Sequence, residues 1–138
     1  MDCKYLTICD FVKHDGTIKI VDAVYLYSVS VHDPSKPWGV ASSKLVSVDD
    51  IEAIPLTEEI LVKNGFSYEH EEETCSTCSY HHWQLVGEYL ALDDCQYWRK
   101  EKKDDLPRFR IAGIDVNYVH QLQHLLRLCG IEKELVID

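Results

Sequence analysis

The pattern of apolar and polar positions is clearest near the end of the chain, where it predicts an amphipathic helix over residues 117–129. At about 100° per residue, its apolar side chains fall in one arc of about 120°, the width of a core-facing helix. The arc contains Tyr118, Val119, Leu122, Leu125, Leu126 and Cys129. On the opposite side lie His120, His124 and Arg127, which are predicted to face solvent or a partner. Gly130 supplies the left-handed residue that commonly ends a helix.

The first part of the chain is patterned as short strands. Residues 5–13 are rich in β-branched and aromatic side chains, and Asp15-Gly16 follows as a hairpin signal, because both central residues of a type I′ turn need positive φ. Residues 18–31 are too many for one strand, so we divide them near Asp22, and residues 40–48 return as one or two strands. Several short strands with tight turns predict an SH3-like β-roll or barrel, in a subdomain of residues 1–54.

The remainder, residues 55–138, is predicted as an α+β subdomain, which makes the fold class α+β. A helix over residues 57–64 has Thr57 as its N-cap and Gly65 as its C-terminal left-handed residue. Residues 67–80 are polar and are predicted to form a loop. A β-hairpin over residues 82–111, the helix 117–129 and an alternating strand over residues 131–137 complete the subdomain.

Composition narrows the class of protein. At 138 residues and 46% hydrophobic content, the chain is expected to form one globular domain or two small ones with a shared core. It has no apolar run near the roughly 20 residues of a membrane span and no signal-peptide pattern at its start, so a cytoplasmic protein is expected. The formal net charge of −10 argues against nucleic-acid and anionic-membrane partners and favours a basic protein partner.

The best chemical signal is a cluster of cysteine and histidine residues. Cys75 and Cys78 have the spacing at which two thiolates chelate one zinc ion, and zinc takes four nitrogen or sulfur ligands. The third ligand would be His81 or His82. The fourth would be His70, Cys95 or the other histidine of that pair. The alternative is a solvated polar loop. No other cofactor is expected, and without an export signal the six cysteines are expected to be thiols, buried apolar sulfur or metal ligands.

Two further features suggest contact surfaces. His120 and His124 stand four residues apart on the predicted helix, a spacing that could hold one metal ion but that more simply gives, with Arg127, a polar interaction face. Trp38 lies between Pro37 and Gly39 in a loop, where it would either anchor a partner or cover the end of the small barrel.

Two segments carry a resemblance to a family. IPLTEEILVKNGF (residues 54–66) and YVHQLQHLLRLCGIEKEL (residues 118–135) resemble the "PIPLTEEWLLKFGF"-like and "YVHQLQNLYFALTGEEL"-like signatures of small uncharacterised proteins from gut anaerobes and their phages. LTICDFVKHDGTIKIV (residues 6–21) is similar to that family's opening, where Gly commonly stands at the place of Cys9. The resemblance implies a β-rich first part and two helices, and it implies no activity, cofactor or catalytic residue.

Three hypotheses follow. The first is a non-enzymatic protein-interaction module of phage or mobile-element type, since no catalytic constellation is present in the sequence; homo-oligomers remain open. The second is a zinc-binding protein that uses Cys75, Cys78 and His81 or His82. The third is an acidic mimic of nucleic acid, which would require the carboxylates to lie along one face. An enzyme is the least favoured.

Overall fold

The computed structural model of the chain describes residues 6–36, 42–72, 79–94, 109–112 and 114–137, with the backbone alone at residues 70–72, 79 and 80. The chain divides into two compact units: unit 1 is Met1–Pro55 with Tyr118–His124, and unit 2 is Leu56–Asn117 with Leu125–Asp138. Each unit has one five-stranded antiparallel sheet, and one helix is divided between them. The α+β class is therefore confirmed.

Unit 1 is built on a sheet with the strand order β4-β3-β2-β1-β5. Its strands are β1 (Phe11–His14), β2 (Thr17–Val24), β3 (Ser28–His32), β4 (Ser43–Ser47) and β5 (Ile51–Glu52), with a 3₁₀ turn at Val48–Asp50. The predicted hairpin is confirmed, because Asp15 and Gly16 take φ of 50° and 75° between β1 and β2. The division near Asp22 is wrong: the register of β2 only shifts there, as at a bulge, and the chain turns at Tyr25–Tyr27.

One face of this sheet carries the core of unit 1. The cluster of buried apolar side chains comprises Leu6, Val12, Val21, Val29, Val31, Val46, Val48 and Ile51. β4 and β5 stand at opposite ends of the strand order, so the sheet is open. An SH3-like barrel is therefore not confirmed for the strands that the structure describes.

Unit 2 contains the second sheet, in the order β10-β9-β8-β7-β6. Its elements are α1 (Glu58–Lys63), β6 (Phe66–Glu72), β7 (Ser79–Leu85), β8 (Ala91–Asp94), β9 (Phe109–Ile111) and β10 (Ile114–Asp115). The predicted start of α1 is confirmed, since the Thr57 side chain accepts from the backbone N–H of Ile60. Gly65 has φ of 85° and ends the helix as predicted. Residues 67–80 are not simply a loop, because β6 extends through most of the first half.

The predicted strand over residues 131–137 is absent; these residues follow the last helix without strand structure. The backbone of this segment forms hydrogen bonds with a side-chain amide instead of with a strand. The N–H of Val136 donates to Asn64 Oδ1 at 2.7 Å, and Asn64 Nδ2 donates to the Val136 carbonyl at 2.8 Å and to the Ile60 carbonyl at 2.7 Å. The predicted alternation of buried and exposed side chains is nevertheless present at two positions, because Leu135 is buried and Val136 is exposed.

The helix α2 (Val119–Leu128) ends as a Schellman motif, in which Ile131 N–H donates to the Leu126 carbonyl and Gly130 N–H to the Arg127 carbonyl. The predicted core arc is confirmed for Val119, Leu122 and Leu126, which are buried. It is wrong for Tyr118 and Cys129, which are exposed. Tyr118 precedes the first residue of the helix and Cys129 follows the last, so a helical projection does not decide which way their side chains point.

Replacing Asn64 with alanine is expected to reduce the free energy of unfolding by about 2 kcal/mol or more, because it leaves the N–H and the carbonyl of Val136 without their partner and removes one of two donors from the Ile60 carbonyl. Urea denaturation measures the change. Glu134→Ala, at an exposed position in the same tail, is the control and is expected to change stability by about 0.5 kcal/mol at most. A loss no larger for Asn64→Ala than for the control would contradict this role.

Candidate functional site

The histidines of α2, predicted to face outward, lie in a polar cluster inside unit 1. His120 is only 4% exposed, and His124 is half-buried; Arg127 is exposed as predicted. The projection is therefore wrong for the two histidines. Polar side chains are buried when partners satisfy their hydrogen bonds, and here Asp10 is the partner of His124, while the backbone on either side of Asp10 bonds to Gln123.

Asp10 is the centre of this cluster and is fully buried. Its carboxylate accepts from the Thr7 backbone N–H at 2.8 Å and from the Thr7 hydroxyl at 3.2 Å. His124 Nε2 lies 2.9 and 2.8 Å from the two carboxylate oxygens. A buried carboxylate is tolerated only when it is paired and hydrogen-bonded, and these contacts meet that requirement.

Gln123 joins the helix to the same segment through the backbone. Its Oε1 accepts from the Phe11 N–H at 2.8 Å, and its Nε2 donates to the Cys9 carbonyl at 3.0 Å. On the other side, Cys9 N–H donates to the Val21 carbonyl and Val21 N–H to the Asp10 carbonyl. The amide of Gln123 thus takes the place of a neighbouring strand. Cys9 has a positive φ of 75°, a backbone conformation that residues other than glycine rarely adopt.

His120 is the member of the cluster with an unpartnered ring nitrogen. Its Nδ1 has no hydrogen-bond partner among the residues that the structure describes, and its ring stacks on Tyr118 and meets His124 edge-on, each with centroids 5.8 Å apart. Burial lowers the pKa of His120; Asp10 acts in the opposite direction with a smaller effect, and His124 lowers the pKa further. His120 is therefore held neutral.

The cluster is not arranged as a catalytic triad. A triad needs the carboxylate on one ring nitrogen of the histidine and the nucleophile on the other. Here Asp10 and the Thr7 hydroxyl both face Nε2 of His124, at 2.8 and 3.2 Å. The contacts therefore favour a structural role.

A second carboxylate–histidine pair lies in the same unit and, like the first, is not arranged as a catalytic triad. Asp22, at the bulge in β2, is hydrogen-bonded to His32 Nδ1 and accepts from the Ser43 hydroxyl at 2.7 Å. The hydroxyl donates to the carboxylate and not to the imidazole. This set links three neighbouring strands and does not pair a nucleophile with a base.

The zinc hypothesis is only partly covered by the structure. Cys75 and Cys78 lie outside the described residues, as do Cys95 and the side chain of His70. Within β7, His81 contacts the Tyr68 hydroxyl, and His82 Nε2 lies 3.0 Å from Glu69. Successive strand residues point to opposite faces of a sheet, so His81 and His82 lie on opposite faces of β7, and the choice of zinc ligands stays a prediction. Elsewhere in the described part, no group of three or more potential ligands is placed to hold a metal ion.

A row of charged side chains crosses the sheet of unit 2, a feature that the sequence alone does not reveal. The strand register aligns Glu69, His82, Asp93, Arg110 and Asp115 across β6 to β10. Arg110 Nε lies 2.8 Å from Asp115 Oδ1. Acidic and basic side chains alternate along the row, which favours this register over a shifted one.

The turn between β2 and β3 exposes three large side chains in succession, and we call Tyr25, Leu26 and Tyr27 the hairpin tip. They are 56%, 76% and 76% exposed. Tyr25 N–H donates to the Ser28 carbonyl at 2.9 Å, and the Tyr27 carbonyl accepts from the Val48 N–H at 3.0 Å. The tip is thus fixed to the sheet at both ends.

The hairpin tip has an acidic neighbour. Val48, which is bonded to Tyr27, begins the 3₁₀ turn, and Asp49 and Asp50 complete it with exposed side chains. We call Asp49 and Asp50 the acidic turn. Of the predicted interaction residues, Trp38 lies outside the described residues, and the sequence missed the hairpin tip because its residues have strand-like composition.

Comparison of the chain with family models, with curated proteins and with solved structures finds no match. None of the helices in the described residues is long and apolar enough to cross a membrane.

His120→Gln is expected to make stability less sensitive to acid. The unfolded chain takes up a proton at His120 near pH about 6.5, whereas the folded chain resists it because burial lowers the pKa. Above pH about 6.5 His120 is neutral in both states, and its contribution to the free energy of unfolding is fully present. That contribution is lost as the pH falls through the lowered pKa, by no more than about 1.4 kcal/mol per pH unit.

Urea denaturation of wild type and His120→Gln near pH 7.5 and pH 5.5 measures this effect. The wild type should lose more stability than the variant between the two values. Arg127→Gln, exposed on the same helix, should behave as the wild type does. An equal loss in wild type and His120→Gln would contradict a buried neutral imidazole.

Proposed function

We propose that the protein is a non-enzymatic protein-binding module that uses the hairpin tip. The observation that carries the proposal is the exposure of Tyr25, Leu26 and Tyr27 together on one turn. Contiguous exposed apolar side chains commonly mark interaction sites, and tyrosine is among the residues enriched in binding hot spots.

The way the tip is held supports binding. The hydrogen bonds to Ser28 and Val48 fix the backbone at both ends of the turn, so little backbone entropy is lost when a partner binds. Tyrosine also loses little side-chain entropy for the contact area that it provides. A rigid turn with aromatic side chains is therefore suited to insertion into an apolar pocket.

Charge indicates the kind of partner. The acidic turn, Asp49 and Asp50, adjoins the tip, and the whole chain has a formal net charge of −10. Complementary charge speeds association and disfavours wrong partners. The partner we propose is a protein with an apolar pocket and a basic rim. A cytoplasmic location and a phage or mobile-element origin stay predictions beside this proposal.

Substitution of the tip tests the proposal. Leu26→Asp, and separately Tyr25→Ala with Tyr27→Ala, should weaken partner binding about tenfold or more, equivalent to about 1.4 kcal/mol, because the apolar contact is removed. Tyr89→Ala is the matched control: this tyrosine is fully exposed (108%) in unit 2, between β7 and β8.

Proteins retained from a lysate of the source cells are quantified on immobilised wild type and on each variant, and the affinity of the retained protein is then measured with purified components. Circular dichroism checks that each variant is folded. A partner bound by wild type and Tyr89→Ala but lost from the tip variants supports the proposal. Retention that is the same on wild type and Leu26→Asp would count decisively against it.

A further inference from the structure

The edge strand β4 lies beside the hairpin tip, and its hydrogen-bonding phase can be determined. In an antiparallel ladder, directly opposite residues alternate between pairs that exchange hydrogen bonds and pairs that do not. The bond from Val48 N–H to the Tyr27 carbonyl marks one bonded pair. With the observed register, the next bonded pairs include Val46 with Val29 and Lys44 with Val31.

Leu45 and Ser47 therefore direct their backbone N–H and C=O groups away from β3. Because β4 is the first strand in the order β4-β3-β2-β1-β5, these groups point to the outer edge of the sheet. Among the described residues, β4 pairs with β3 alone. The Leu45 side chain is 63% exposed and stands next to this edge.

The tip and the acidic turn both lie at one end of the edge strand β4. Tyr27 is bonded to the residue that directly follows β4, so the tip lies at the Ser47 end of the strand. Asp49 and Asp50 extend from the same end. An extended chain laid along the outer side of β4 would therefore run toward the two carboxylates, at the end of the sheet that also carries the tip.

We propose that β4 binds an extended segment of the partner protein as a sixth strand of the sheet, with an apolar side chain beside Leu45 and basic side chains toward Asp49 and Asp50. Strand addition of this kind draws affinity from main-chain hydrogen bonds and specificity from alternate side chains. The inference rests on the proposed function and names the form in which the partner is recognised.

Charge decides between a partner segment and a second copy of the chain. Two copies paired along β4 would bring together two chains of net charge −10, each with its own acidic turn. The like net charges of two copies repel each other, whereas a basic segment is attracted to the acidic turn. The exposed Lys44 does not block the edge, because its backbone bonds toward β3 and its side chain is on the opposite face from Leu45.

The probe is a library of randomised linear peptides, displayed on phage and selected on the folded full-length protein. The expected peptides alternate apolar and polar residues and are rich in Lys and Arg at one end. The affinities of the best peptides are then measured by calorimetry for the wild type and for the variants.

Leu45→Pro is the decisive variant. Proline at this position removes an outward N–H without breaking a bond to β3, so the sheet is expected to form. Peptide affinity should fall about tenfold or more, equivalent to about 1.4 kcal/mol. Leu45→Ala keeps the N–H and should lose less affinity, and Tyr89→Ala should lose none.

A second measurement leaves the protein unchanged. An added strand directs alternate N–H groups toward β4, so two isomeric peptides are made that are N-methylated at one alternate set of residues or at the other. Only one isomer should bind. Hydrogen exchange at the Leu45 amide should slow when peptide is bound. If Leu45→Pro does not fold, the N-methylated pair decides the question.

The outcomes separate the two proposals. Loss of binding in both Leu45→Pro and Leu26→Asp supports strand addition beside the tip. Binding that is lost in Leu26→Asp but intact in Leu45→Pro, or equal binding of the two N-methylated isomers, overturns strand addition and leaves the proposed function standing. Binding unaffected by either variant overturns both, and failure to select any peptide overturns strand addition. A wild-type dimer that Leu45→Pro dissociates would show that the edge binds a second copy of the chain and would overturn the proposal of a partner segment.

Discussion

The buried carboxylate of Asp10 is the constraint on which the arrangement of unit 1 depends. A charge removed from water is strongly unfavourable unless donors surround it, and the donors here come from the Thr7 turn and from His124 on α2. Gln123 adds two backbone contacts from the next position on the helix. The middle of α2 is therefore fixed to the segment at the beginning of β1 by polar contacts, and Val119 and Leu122 are buried on the same helix.

The same constraint accounts for the hydrogen-bond partners of two histidines in unit 1. Both Asp10 oxygens face the one nitrogen of His124 that a nucleophile would need, and Asp22 likewise accepts from both His32 and Ser43. Their polar atoms contribute to stability and register. The features that the described residues of unit 1 direct outward are of another kind and include an apolar turn, an edge strand and two carboxylates.

Local signals in the sequence predicted local structure well. The turn at Asp15-Gly16 depends on positive φ, the N-cap at Thr57 on a nearby backbone N–H, and the helix end at Gly130 on a left-handed residue. Each of these features depends on only a few neighbouring residues. The strand at residues 131–137 failed because alternation predicts which side chains are buried but not the partner of the backbone. That partner is the Asn64 amide, about 70 positions upstream.

The sequence by itself therefore determined the α+β class, the helix starts and stops, the first hairpin and the burial of Val119, Leu122 and Leu126 in α2. Only the tertiary structure decided that His120 is buried, that the chain turns at Tyr25–Tyr27, and that Leu45 directs its backbone outward. The physical reason is range. Turns and caps are determined by φ preferences and neighbouring hydrogen bonds, whereas burial of a polar group and the phase of an edge strand depend on partners that are distant along the chain.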